Sequence, residues 1–154
     1  MDLRNFFSRK WMLAINGIFL FAVLIIAALS FLFNFGWYRF MFAVVLIPYY
    51  FIYASFNIFY VLWLWVAPWR MIPLLWLGGL TFLAANLLLP DAGDSGELYA
   101  CFRQLEIVGP EPDLFQLSRK FWIANLAIGA LQFLQGTIDL ILKFREPSPS
   151  ASPN

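Results

Sequence analysis

The sequence predicts an all-α, polytopic membrane protein: a four-transmembrane-helix antiparallel bundle with a short amphipathic helix in the loop between the third and fourth spans. Three observations predict it. Of the 154 residues, 62% are hydrophobic and only 12% are charged, where a soluble domain carries about 25% charge. Mean hydropathy is +0.76. Four apolar runs, charge-free except for Asp139, each approach or exceed the roughly 20 helical residues needed to cross a bilayer core about 30 Å thick.

The first run covers residues 11–33, and only Asn16 and Ser30 interrupt its apolar character. Residues 1–10 precede it as a cytoplasmic interfacial segment, with Leu3, Phe6 and Phe7 set among Arg4, Arg9 and Lys10. A cleavable signal peptide is the competing reading, with Arg9-Lys10 as charged flank and Ala28-Leu29-Ser30 as the small-residue site. The apolar run is too long for it, because Phe31-Leu32-Phe33 continue past that site. After Asn34-Phe35-Gly36, the second run covers residues 40–67, more than a perpendicular crossing requires. Pro48 removes a backbone donor inside it and predicts a kink near residues 44–47. Pro68-Trp69-Arg70 forms a corner, and the third run covers residues 71–89.

Residues 90–120 form an external loop. Asp94 and Glu97 have capping-box spacing, and Leu98, Cys101, Phe102 and Leu105 then recur at helical intervals before Gly109-Pro110. A short amphipathic helix is expected here, although the same stretch alternates in places and leaves a pair of short strands as the alternative. Asp113 and Gln116 form a second capping signal, which lets the last helix begin before the membrane at Leu114. The fourth span covers residues 121–142 within a membrane domain of residues 11–144, and the Pro/Ser-rich tail, residues 145–154, is expected to be disordered.

Orientation follows from Lys and Arg. Arg4, Arg9, Lys10, Arg70, Lys143 and Arg145 fall on one side of four spans, against Arg39, Arg103, Arg119 and Lys120 on the other. Both termini are therefore expected in the cytoplasm, with the plasma membrane as the expected location. The acids of the long loop suit a translocated segment.

Intramembrane polar residues are the candidate site, because they are costly against lipid and turn inward. On the fourth helix Asn125, Gly129, Gln132, Gly136, Asp139 and Lys143 share one face, with Gln135 alongside. The two glycines are expected to let another backbone approach closely. On the second helix Tyr50, Tyr53, Asn57 and Tyr60 form a partner stripe, and the two faces are expected to meet. Asn86 on the third helix is expected level with Asn125, and Asn16 on the first lies nearer the inner layer. Asp139 is the single acid in a span, and pairing with Lys143 or snorkelling to the interface would satisfy it.

Several function classes drop out. A net charge of +1 gives no footprint for nucleic acid. With no His and the single Cys101, neither an internal disulfide framework nor a Cys/His metal cluster can be built. The Asp91/Asp94/Glu97 spacing does not match an EF-hand loop. No His is available as a general base, no Ser-x-x-Lys or Gly-x-Ser-x-Gly motif appears and the single span acid lacks the second member of a carboxylate dyad, so no catalytic, metal or cofactor residues are assigned and no enzyme is expected. Cys101 is expected to serve in packing, and Trp37, Tyr38, Trp63, Trp65, Trp69 and Trp122 as interfacial belts.

The layout resembles the MARVEL-type tetraspan membrane proteins. The likeness is carried by the basic residues before the first span, Arg39-Phe40-Met41-Phe42-Ala43 leading into an aromatic-rich second helix, and the Trp69 corner. Cys101-Phe102-Arg103-Gln104 ahead of an Ala/Gly-bearing last helix completes it. The chain departs from the pattern in having no second loop cysteine and no acid in its third helix. The resemblance implies a role in organising membrane domains, junctions or vesicle traffic without catalysis. The expected function is thus a non-enzymatic tetraspan protein that organises membrane domains or associates laterally with lipids, other membrane proteins or itself. The alternative is a small transporter, channel or accessory subunit of a larger membrane complex, using the polar stripe of the last helix.

Overall fold

The structure, a computed structural model, describes residues 3–33, 36–63, 71–92, 98–102, 105–107 and 112–145. Among them are four α-helices, α1 (Leu3–Phe33), α2 (Trp37–Trp63), α3 (Ile72–Leu87) and α4 (Pro112–Arg145). The expected interfacial helix at the N-terminus is the first part of α1 and continuous with it. Pro48 lies inside α2, and the tail beyond Arg145 and the Trp69 corner lie outside the described residues.

Three helices are long and apolar enough to cross a membrane, over Arg9–Phe33, Ala43–Trp63 and Leu114–Leu142. The third sequence-predicted span differs: α3 has 16 residues, which at 1.5 Å per residue is roughly 24 Å. Pro73 starts it and Pro90 follows its end, so the helical stretch is shorter than the apolar run that contains it. The outward faces carry exposed large apolar side chains such as Ile18, Phe21, Val44, Phe51 and Phe133, far beyond the patches water-exposed proteins tolerate.

The expected amphipathic helix in the external loop is not formed. Its place is taken by a three-stranded antiparallel sheet in the order β1 (Asp91–Ala92), β2 (Leu98–Ala100), β3 (Leu105–Ile107). Asp91 pairs with Tyr99, and Tyr99 with Glu106. The turn after β2 puts Cys101 and Phe102 at φ 49° and 61°, the left-handed backbone of tight hairpins and one that ends helical winding. The Cys101 N–H donates to Leu87 O at 3.0 Å, tying the hairpin to the end of α3.

The core is aromatic. Phe82, fully buried, stacks on Tyr53 at 3.9 Å and meets Tyr50 and Trp122 edge-on at 5.4 and 5.9 Å. The close approach between helices is made at Gly79, where a Cβ would lie 2.6 Å from Phe19 Cε1. The α4 glycines do not have the expected role: nothing lies within 4 Å of a Cβ at Gly129, and only Met71 Cε, at 3.9 Å, near one at Gly136.

Candidate functional site

The polar side chains form a ladder between helices. At one end Trp76 Nε1 donates to Asn16 Oδ1 at 2.9 Å, while Asn16 donates to Met12 O, and Trp76 stacks on Phe19 at 4.0 Å. In the middle, Asn125 Nδ2 donates to Gly78 O at 2.7 Å and to Thr81 Oγ1 at 3.1 Å, and the Tyr49 hydroxyl donates to Asn125 Oδ1. Gln132 Nε2 donates to Asn57 Oδ1 at 3.4 Å, with both side chains 1% exposed. The Tyr50 hydroxyl donates to Asn86 Oδ1.

The expected meeting of the α2 and α4 stripes is thus made by Asn57 with Gln132, and by Tyr49, a residue outside the expected stripe. Asn86 is not level with Asn125. Asn125 binds α3 at Gly78 and Thr81, whereas Asn86 lies five residues beyond Thr81, roughly 8 Å along the axis. Gln135 is half-buried on the flank. Tyr53 and Tyr60 are 7% and 3% exposed with hydroxyls that find no partner. Asp139 Oδ2 is likewise buried without a hydrogen-bond partner, and the Lys143 side chain lies outside the described residues.

A second cluster was not legible as a site. Asp91 Oδ2 accepts from Gly36 N at 2.9 Å and Arg39 N at 3.2 Å, and lies 3.5 Å from Arg39 Nε. It therefore caps the start of α2, where amide donors and the helix dipole favour a carboxylate. Arg39 Nη2 donates to Asn86 O at 2.8 Å and Leu89 O at 3.2 Å, placing a cation at the negative end of α3. Ser118 Oγ supplies Ala85 O, Ser30 Oγ also reaches Asn86 O, Cys101 supplies Leu87 O and Leu88 N–H supplies Ala84 O. All four carbonyls of the last turn of α3 are satisfied. Arg39 is 0% and Asp91 3% exposed. Burial lowers the Arg39 pKa, and Tyr50 and Asp91 oppose that shift.

Between α2 and α4 the bundle is open. Three cavities of about 290, 190 and 170 Å³ follow one another along this seam, sharing Tyr49 and Leu126, then Phe56 and Gln132. They reach from Phe115 to Leu140 on α4, roughly 37 Å of helix. Among the described residues no group of His, Cys, Asp or Glu could hold a metal ion. No family model, curated protein or solved structure matches the chain.

Proposed function

We propose that the chain is a non-enzymatic, four-span integral membrane protein with both termini cytoplasmic, which organises the surrounding membrane by lateral association through its open α2–α4 seam. The contact register supports an antiparallel bundle. Asn16–Trp76 and Ser30–Asn86 climb in the same sense along α1 and α3, whereas Gly78–Asn125 and Ala85–Ser118 run in opposite senses along α3 and α4. Met71, Leu88 and Leu89 extend the apolar length of α3, which serves as the third span.

One observation carries the reading. Asn125, Gln132, Asn57 and Asn86 bond to neighbouring helices or to each other, so the amides are used in holding the bundle together, and although Asn57, Asn125 and Gln132 border the middle of the seam, most of its lining is apolar or aromatic. Such bonds contribute on the order of 0.6 to 2 kcal/mol each in membranes. The transport alternative has less support, because Asn57 and Gln132 close the polar line where a water path would have to pass. A photo-crosslinker at Ile52 or Gly129 in the seam is expected to capture lipid or a second membrane protein in native membranes. Loss of an ion or solute flux in Asp139→Asn, with assembly intact, would favour transport instead.

A further inference from the structure

We propose that the end of the α2–α4 seam nearest Phe115 holds an anionic phospholipid, with an acyl chain in the groove between the helices and the headgroup phosphate on Arg119. The proposal rests on the membrane reading above and names the occupant of that seam.

The 290 Å³ cavity at this end is walled by Val45 and Tyr49 of α2 and by Phe115, Trp122 and Leu126 of α4. Tyr49 and Trp122 meet edge-on at 5.0 Å, and Trp122 meets Phe82 in the same way at 5.9 Å, so the aromatic part of the wall is anchored in the core. Val45, Phe115 and Leu126 are exposed. The groove therefore opens sideways, and a chain can enter it from the bilayer without any helix moving.

Among the described residues, Arg119 is the one charged side chain that lines this cavity. It is exposed, and no described carboxylate pairs with it. The residues three and four places away on α4 are Phe115, Gln116, Trp122 and Ile123, none of which can neutralise it. Asp91 is already used by Arg39 and the first amides of α2. A guanidinium presents a planar fork of N–H donors that a phosphodiester accepts in matching geometry. A free cation beside an apolar groove is complementary to one molecule with both halves, an anionic headgroup on a hydrocarbon chain.

Depth agrees. The apolar stretch of α4, Leu114–Leu142, has 29 residues, roughly 43 Å of helix, which matches a hydrocarbon core with both headgroup layers, about 40–45 Å. Arg119 lies five residues inside the N-terminal end of that stretch, roughly 7 Å, the level at which headgroups give way to hydrocarbon. One leaflet of about 15 Å then reaches from Arg119 to the level of Gly129. The adjoining 190 Å³ cavity, which shares Tyr49 and Leu126 and includes Gly129, carries the groove that far. Asn125 on its border is spent on Gly78, Thr81 and Tyr49.

The shape favours a lipid chain over a helix. Membrane helices seat where small residues let a backbone come close. Ser118 is the one small residue lining the larger cavity among those described, and its hydroxyl is committed to Ala85 O. A trough between bulky side chains suits a thin, flexible chain better than a rod about 10 Å across.

The test uses the full chain in bilayer nanodiscs of equal parts phosphatidylglycerol and phosphatidylcholine, with retained lipid read by native mass spectrometry. Phosphatidylglycerol should be enriched about fivefold over phosphatidylcholine, the factor contributed by one basic residue at a lipid surface. Arg119→Ala should return the bound lipid to the bulk ratio, whereas Arg119→Lys and Lys120→Ala should keep the preference. Leu126→Trp, and Val45→Trp on the facing wall, fill the groove at constant charge and should each lower the amount retained. A photo-crosslinker at Leu126 should label lipid. For a chain that inserts, bound lipid that follows the bulk ratio, equal losses in Arg119→Ala and Lys120→Ala, or indifference to both tryptophans overturns the proposal. A crosslink from Leu126 to a second copy in place of lipid also overturns it, while leaving lateral association through the seam in place. Insertion is read separately by resistance to alkaline extraction, and its failure would remove the membrane reading beneath.

Discussion

Arg39 and Asp91 are 52 residues apart in sequence, yet each completes a different helix terminus, and neither has an equivalent substitute. Removing Asp91 leaves a guanidinium sealed from water and the first amides of α2 without their acceptor. Asp91→Ala is therefore expected to cost about 3–5 kcal/mol, as for other buried pairs that lose one member. Thermal unfolding in detergent measures this, and a shift no larger than that of an exposed control such as Lys120→Ala would sink the idea. The Cys101 thiol gives a pH-dependent readout. Burial pushes its pKa up, so at any given pH less thiolate is present than for a free thiol. Alkylation should be slower than for a cysteine peptide at pH 8 and should catch up only as the pH rises further. The sequence made Asn125, Gln132, Asn57 and Asn86 visible because an amide in an apolar run stands out against its neighbours. Arg39 and Asp91 were hidden because each lies at a run boundary, where a charge is read as solvated, and only tertiary folding brings them together.

Among the elements, α3 shows how packing decides what a glycine does. A Cβ at Gly79 would meet Phe19 at 2.6 Å and Val23 at 3.2 Å, whereas one at Gly129 would face open space. Gly79→Ala is expected to destabilise the bundle by about 1–3 kcal/mol through overpacking, while Gly129→Ala should be tolerated or mildly stabilising, since alanine is favoured over glycine in a helix by about 1 kcal/mol. Comparing the two melting shifts checks this, and equal shifts would contradict it. Helical spacing alone had assigned close approach to the α4 glycines, because a face pattern says which residues align but not which neighbour lies opposite. The helix expected between α3 and α4 failed to form for a related reason. Residues 97–108 satisfy two periodicities, and the choice was made by the nonlocal pairing of Asp91 with Tyr99 and by the bond from Cys101 to Leu87, neither of which a local window contains.

For the whole molecule, orientation is the most direct prediction. In sealed right-side-out vesicles a C-terminal tag should resist protease, whereas an epitope inserted in the 93–97 stretch should be cut; the reverse pattern would overturn the topology. Charge counting had included Arg39 among the external charges, although it is used internally as a helix cap, so the margin for cytoplasmic termini is wider than the bare count. Three of the apolar runs were legible as membrane-length helices because crossing a bilayer imposes length and apolarity on each helix separately. The open seam was not, since it depends on where two helices diverge.

The short α3 has a mechanical corollary. Its roughly 24 Å stands beside partners long enough for a core of about 30 Å, and its C-terminal end is locked by Arg39 and cannot slide. Any shift of α3 along its axis would carry the start of α2 with it, while the apolar residues Met71, Leu88 and Leu89 that flank the helix make up part of the missing length.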